Sequence, residues 1–249
     1  MSIPIDLYHG DCLRILPAIP SESVTLILAD PPYGTTENEW DSIIDLGRLW
    51  KELRRIVTPN GAIVMTASQP FTTTLIMSAR DLFKYEWIWE KNIPTGHVHA
   101  KNKPMKKHEN VLVFSKGVTI HEGQSANRMD FYPQGVRAHE VSVRANNQNR
   151  ASDTVMGKRP SQGADFAVTG AGYPHSILRH DRPSKVVHPT QKPVDLFAYL
   201  IRSYTNKGET VMDFCMGSGT TGVAALQMRR AFIGIEQDPA YFGIALGRC

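Results

Sequence analysis

Only three cysteines occur in the 249 residues, Cys12, Cys215 and Cys249, and they stand far apart. There is no CxxC pair and no Cys/His ligand spacing, which argues against a disulfide framework and a structural zinc site. The thiols are expected to be free. His97, His99, His108 and His121 likewise lack metal-ligand spacing and read as polar loop residues, so no metal is expected. No apolar run approaches the length needed to span a bilayer, and residues Met1 to Asp6 lack the basic and apolar regions of a signal peptide. A cytoplasmic location without membrane contact is the expectation. The sequence shows no internal repeat, and the Lys-Ser/Thr that would complete a Walker phosphate loop is missing from its glycine-rich stretch.

What is present suits a globular fold. A hydrophobic content of 41% with 21% charged residues allows one large core, or one core carrying an inserted segment. The formal charge of +4 is a weak signal by itself. Its distribution says more: Lys116 to Lys185 holds ten Lys/Arg against six Asp/Glu and accounts for the whole excess.

The run Val24-Thr25-Leu26-Ile27-Leu28-Ala29 ends abruptly in Asp30-Pro31-Pro32-Tyr33. A continuous apolar run stopped by an acid and two prolines predicts a buried parallel strand opening into a rigid loop, at the end of the sheet where α/β proteins bind ligands. The prolines fix φ and remove amide donors, leaving carbonyls beside a carboxylate and an aromatic ring. Such a loop suits a flat, amine-bearing ring, although the same four residues standing by themselves would read as a surface turn.

Strand and helix patterns alternate around this loop. Ile3 to Tyr8 reads as a strand, Cys12 to Ile19 as a brief helix, and Leu46, Leu49, Trp50, Leu53, Ile56 and Val57 as an amphipathic helix ended by Pro59-Asn60-Gly61. Ala62 to Met65, Lys84 to Trp89 and Asn110 to Phe114 read as strands, with a helix from Pro70 to Arg80. Trp87 and Trp89 are expected to pack in the core or at an edge. The pattern fails between Val118 and Val187, which is rich in Asn, Gln, Ser, Gly and Arg. It resumes with a helix after Pro193, a strand at Thr210 to Phe214, a helix through Val223 and Leu226, a strand at Ala231 to Ile235 and a closing helix after Pro239. The fold class is therefore α/β, a doubly wound, mostly parallel sheet with a loop-rich insert.

A second constellation lies in Asp213-Phe214-Cys215-Met216-Gly217-Ser218-Gly219-Thr220-Thr221-Gly222, a strand running through a glycine-rich turn into a helix. Glycines let backbone approach a ligand closely, and Glu236 ends the next strand about where an acid meets ribose hydroxyls. Together they describe a nucleoside pocket. Gly217-x-Gly219-x-x-Gly222 also fits the dinucleotide fingerprint, but too few residues follow Glu236 to supply a second mononucleotide-binding half.

With both motifs in this order, the chain resembles the β class of S-adenosylmethionine-dependent DNA amino-methyltransferases, a circularly permuted family. The resemblance covers everything except roughly residues 118 to 187. It implies a seven-stranded Rossmann-like sheet, with a catalytic half at 1–117, a target-recognition region at 118–187 and a cofactor-binding half at 188–249. It further implies that Asp30 and the carbonyl of Pro31, stiffened by Pro32, accept hydrogen bonds from the amine of a flipped base while Tyr33 stacks on its ring. Phe214, Gly217 and Gly219 would line the methionine end of the cofactor, with Asp213 and Ser218 in the same stretch, and Glu236 would bind its ribose. In His188-Pro189-Thr190-Gln191-Lys192-Pro193, Thr190 and Lys192 would approach the cofactor's carboxylate. Asp11 resembles an acid that meets the adenine, though a helix cap serves it equally well.

The implied partner is double-stranded DNA, reached by Arg128, Arg144 and Arg150 and by Lys106 and Lys107, for which a solvated basic loop is the rival reading. A homodimer and a restriction endonuclease partner are open. Adenine N6 is the expected target, because cytosine enzymes of the class usually carry serine at the position of Asp30; cytosine N4 and a non-catalytic DNA-binding relative are the alternatives. Direct methyl transfer needs no covalent intermediate, so no nucleophilic cysteine is expected.

Overall fold

The apolar run before Asp30 becomes a strand whose residues are almost all buried, Val24–Ala29. It lies in a computed structural model that describes residues 3–35, 41–120, 125–144, 166–183 and 191–249. The chain divides into two units, Met1–Tyr132 with Ser176–Cys249, and Pro133–His175.

The first unit begins with β1 (Ile5–His9), α1 (Cys12–Ile15), a 3-10 turn at Leu16–Ala18, β2 (Val24–Ala29), α2 (Leu46–Ile56), β3 (Val57–Ala67), α3 (Phe71–Ser78), β4 (Phe83–Thr95) and β5 (Lys106–Phe114). The second unit holds β6 (Arg137–Arg144) and β7 (Phe166–Ala171), paired antiparallel. The first unit is completed by β8 (Ile177–Arg179), α4 (Val194–Tyr204), β9 (Thr210–Asp213), α5 (Thr220–Gln227), β10 (Ala231–Glu236) and α6 (Pro239–Arg248).

Eight strands form one sheet in the order β1-β10-β9-β2-β3-β5-β4-β8. All its pairs are parallel except those of β5 with β3 and β4. The eighth strand exceeds the seven expected. Three residues, Ile177–Arg179, pair with Ile88 to Glu90 in the middle of β4, too short a run to show any periodicity.

Alternate residues of each central strand feed two cores. Ile27, Ile63, Met65, Leu112, Phe114 and Met212 meet Leu49, Trp50, Leu53 and Ile56 of α2 and Phe71 and Leu75 of α3. Leu26, Leu28, Val64, Val111, Val113 and Val211 meet Leu196, Phe197, Leu200, Ile201 and Tyr204 of α4 and Ala224 and Ala225 of α5. A sheet covered on both faces is why β2 reads as a continuous apolar run rather than an alternating one.

Pro59-Asn60-Gly61 does not separate α2 from β3 as its composition predicts. The strand starts at Val57, and the register jumps from Val24↔Val57 to Leu26↔Ala62, so the extra residues are absorbed in a bulge. Gly61 permits it: a Cβ there would stand 2.5 Å from both the Thr25 carbonyl oxygen and the Thr58 Oγ1. Among the described residues, no helix is long and apolar enough to cross a membrane.

Candidate active site

Strands β2 and β9 run side by side, Leu26 opposite Val211 and Ile27 opposite Met212. From β2 the chain leads to β3 on one side, and from β9 to β10 on the other. The connections therefore diverge at this pair, which opens a crevice at the carboxyl ends of the strands. A cavity of about 490 Å³ lies there. Tertiary pairing of two strands nearly two hundred residues apart brings both sequence motifs to one place.

Of the residues expected at the site, Asp11, Asp30, Pro31, Pro32, Tyr33, Lys192, Asp213, Phe214, Gly217, Ser218 and Glu236 all line this cavity. Gly219 does not. It caps α5 with φ +81°, and a Cβ on it would press on Ala245 of α6 and on Cys249 just beyond it. Thr190 and Arg150 lie outside the described residues.

The acid of the first motif is held by three donors. Tyr33 donates its hydroxyl to Asp30 Oδ1 at 2.8 Å, Thr66 of β3 donates to the same oxygen, and Lys192 donates to Oδ2 at 2.6 Å. Lys192, expected at the cofactor's carboxylate, lines the cavity, and its ammonium ties its own stretch to the Asp30 loop. Burial alone would lower its pKa, but Asp30 and then Glu109 outweigh that and the net direction is up, so Lys192 stays charged. Tyr33 is pushed well above its usual range by burial and then by Asp30, which keeps the phenol a donor. Its ring stacks on Phe71, with centroids 5.4 Å apart.

Asp41 fixes the backbone beyond the prolines. Only 6% exposed, it accepts from the N–H groups of Tyr33, Gly34 and Thr35 at 2.7, 3.0 and 2.8 Å. Pro31 and Pro32 have no amide to offer, so the loop's first available donors all converge on this one carboxylate.

The glycine turn is tied down by two acids. Asp213 accepts from Thr221 Oγ1 at 2.5 Å and from the Cys215 N–H at 3.0 Å; burial raises its pKa to about 7. Glu236 accepts from the Gly217 N–H through Oε2 and from the Asp238 N–H through Oε1, each at 2.8 Å. Each of its oxygens keeps a second lone pair. Asp11 caps α1, accepting from the Leu13 N–H at 2.9 Å, and also lines the cavity. Ser218 accepts from Arg248, through its hydroxyl at 2.9 Å and its carbonyl at 2.6 Å.

The thiols are held in their neutral form. Burial and then Asp11 push Cys12 up to about 12, and burial with Asp213 pushes Cys215 up as well. Neither is suited to act as a nucleophile.

The described basic residues expected to meet DNA fall in both units. Lys106 is half-buried and donates to Ser68, with burial lowering its pKa; Lys107 is exposed and pairs with Glu90 at 3.1 Å. Arg128 is half-buried in the first unit, and Arg144 ends β6 in the second.

Four residues at the site carried no readable signal in the sequence: Asp41, Thr66, Lys91 and Glu109. Glu109 stands in Lys106-Lys107-His108-Glu109 at the start of β5, where a charged stretch before an apolar run ordinarily marks a solvated strand end. Antiparallel pairing with β3 and β4 instead puts it at the carboxyl end of the sheet, on the wall of the same cavity as the Asp30 loop.

A family model described as DNA methylase, N6_N4_Mtase, matches residues 24–246. The DNA adenine methyltransferase YhdJ of Escherichia coli (strain K12) is 29% identical over 258 residues, covering 97% of this chain and 81% of that protein. Among solved structures, the M1.HpyAVI–SAM complex is 23% identical with a TM-score of 0.63, covering 98% of this chain and 100% of its own. The PvuII DNA methyltransferase, cytosine-N4-specific, is 17% identical with a TM-score of 0.68, covering 100% of this chain and 87% of its own. At those identities the two structures speak for the shared methyltransferase fold. The family model spans both motifs and almost all of the chain between and around them, and the chain belongs to the N6/N4 DNA methylase family.

Proposed function

We propose that this protein transfers a methyl group from S-adenosylmethionine to the exocyclic amine of a base turned out of duplex DNA, and that the base is adenine, methylated at N6. The observation that carries this reading is one cavity lined by the Asp30-Pro31-Pro32-Tyr33 loop, the glycine turn at Gly217 and the Glu236 carboxylate.

The residues fit the cofactor. Glu236 is almost fully buried, with a lone pair on each oxygen to spare for a ribose diol. Phe214 and Gly217 offer an apolar side chain and close backbone approach, and Asp11 stands at the wall for the adenine. When bound, S-adenosylmethionine supplies an electrophilic methyl group on a sulfonium. With Asp30 balanced by Lys192, the carboxylates of Asp11 and Glu236 still give the wall a negative character that suits a cationic ligand.

The chain's own residues address the weak nucleophile. The lone pair of an aromatic amine is delocalised into its ring, and acceptors that take up the amine hydrogens restore it. Asp30 Oδ1 is occupied by two hydroxyls, so the acceptor left to the amine is the second lone pair of Oδ2, with the Pro31 carbonyl as its partner. Three donors and a proline-stiffened backbone hold that geometry before substrate arrives, so positioning is the main contribution. Turning the base out costs about a few kcal/mol, which contacts in the cavity must offset. Phe71 covers one face of Tyr33, so a base would use the other.

Adenine is favoured by the acid at position 30 and by likeness to a protein named DNA adenine methyltransferase. Cytosine N4 is the second reading, since a cytosine-N4-specific enzyme shares the fold. Expression in a methylation-free host followed by nucleoside mass spectrometry distinguishes them: N6-methyladenine is expected, and N4-methylcytosine alone would overturn the assignment. Replacing Asp30 with Ala should lower methyl transfer by at least about a hundred-fold while DNA binding persists. Near wild-type methylation by Asp30→Ala would refute the role given to this loop.

A further inference from the structure

Four charged groups from separate elements meet in alternation at the cavity wall. Lys91 of β4 lies 3.2 Å from Glu109 Oε1, Lys192 lies 3.5 Å from Glu109 Oε2, and Lys192 reaches Asp30 Oδ2 at 2.6 Å. The side chains of Lys91, Glu109 and Lys192 are 4, 15 and 6% exposed. The set is charge-balanced. Despite its burial, Glu109 has its pKa held below the usual range by Lys192 and Lys91.

Glu109 Oε2 is buried without a hydrogen-bond partner among the described residues, facing Lys192 only as a charge. A buried, under-satisfied carboxylate oxygen is costly, and a chain seeking stability alone would do as well with apolar packing there. What the arrangement does provide is a second anchor for Lys192. A lysine side chain has a flexible four-carbon stem and a single point charge, so one carboxylate leaves it many ways to make contact. Held from the far side by Glu109, its ammonium is confined to one approach to Oδ2. Since Oδ1 is filled by Tyr33 and Thr66, that approach determines which lone pair of Asp30 remains open.

We infer that Glu109 is a positioning residue for methyl transfer: with Lys91 behind it, it holds Lys192 against Asp30 and so fixes the one acceptor position that Asp30 keeps for the target amine. This rests on reading Asp30 as that acceptor. Glu109 does not need to touch the base or the cofactor.

The test is a double-mutant cycle on the full chain with Glu109→Gln, Lys192→Met and both together. DNA methylation is measured under steady state, and cofactor binding by calorimetry. Glu109→Gln is expected to lower kcat on the order of ten- to hundred-fold, with KM for DNA and for S-adenosylmethionine unchanged within about two-fold. In the Lys192→Met background the same change should have little further effect, because Glu109 acts through that lysine. Glu109→Asp, which keeps the charge, should lie between the Gln variant and wild type, and it carries the same cycle if the Gln variant does not fold. An undiminished loss in the Lys192→Met background, a loss confined to KM, or no loss at all would overturn the inference. Absence of methyl transfer by the wild-type chain would instead overturn the reading of the site. The cycle, run on unfolding free energies, would then decide whether Glu109 and Lys192 are coupled.

Discussion

Asp213 shows how one buried side chain ties the site to the stability of the fold. Its carboxylate holds the glycine turn through Thr221 and Cys215, and burial raises its pKa to about 7. The unfolded chain would titrate it near ~3.9, so between those values the folded protein binds the extra proton. Its contribution to stability is therefore complete below the unfolded value and is lost as pH rises through about 7. Asp213→Asn, neutral throughout, should flatten the fall in unfolding free energy across that window by on the order of a few kcal/mol. Urea denaturation at stepped pH measures it, and an unchanged slope would contradict the assignment. That an acid stands at Asp213 is visible in the sequence. That it is closed off by Thr221 is not, because the pairing depends on how tightly the turn folds back on α5.

At the scale of elements, β3 shows where local chemistry yields to pairing. Pro59-Asn60-Gly61 carries every mark of a helix stop followed by a loop, yet the chain continues as strand because β2 offers a buried partner and a bulge absorbs the surplus residues. Gly61→Ala should destabilise the fold by about 1–3 kcal/mol, since a methyl group there has no room beside the Thr25 carbonyl. Thermal unfolding reads this directly, and an unchanged midpoint would mean that the bulge relaxes freely. Helix α2, by contrast, follows its sequence closely: Asp45 caps it by accepting from the Arg48 N–H at 3.0 Å, and Leu49, Trp50, Leu53 and Ile56 face the core. Strand β8 was not legible, because three residues gain their stability from β4 and not from any pattern of their own.

At the scale of the whole molecule, the basic excess between Lys116 and Lys185 is divided between the two units, with Arg128 in one and Arg144 in the other. If this excess meets the DNA backbone, replacing Arg128, Arg144 and Arg150 together by Ala should weaken binding and reduce the salt dependence of affinity by about one power per lost phosphate contact. An unchanged salt slope would remove the segment from the DNA interface. The sequence by itself determined the α/β class, the two motifs and most helix faces, because apolar periodicity, caps and prolines act over a few residues. It also showed that the first motif carries an acid and the second a glycine turn. Only the tertiary structure decided that β9 lies against β2, that Lys192 closes on Asp30, and that Asp41, Thr66, Lys91 and Glu109 join the site. Those contacts arise from strand order and antiparallel pairing, which bring distant residues together without leaving a local mark in the chain.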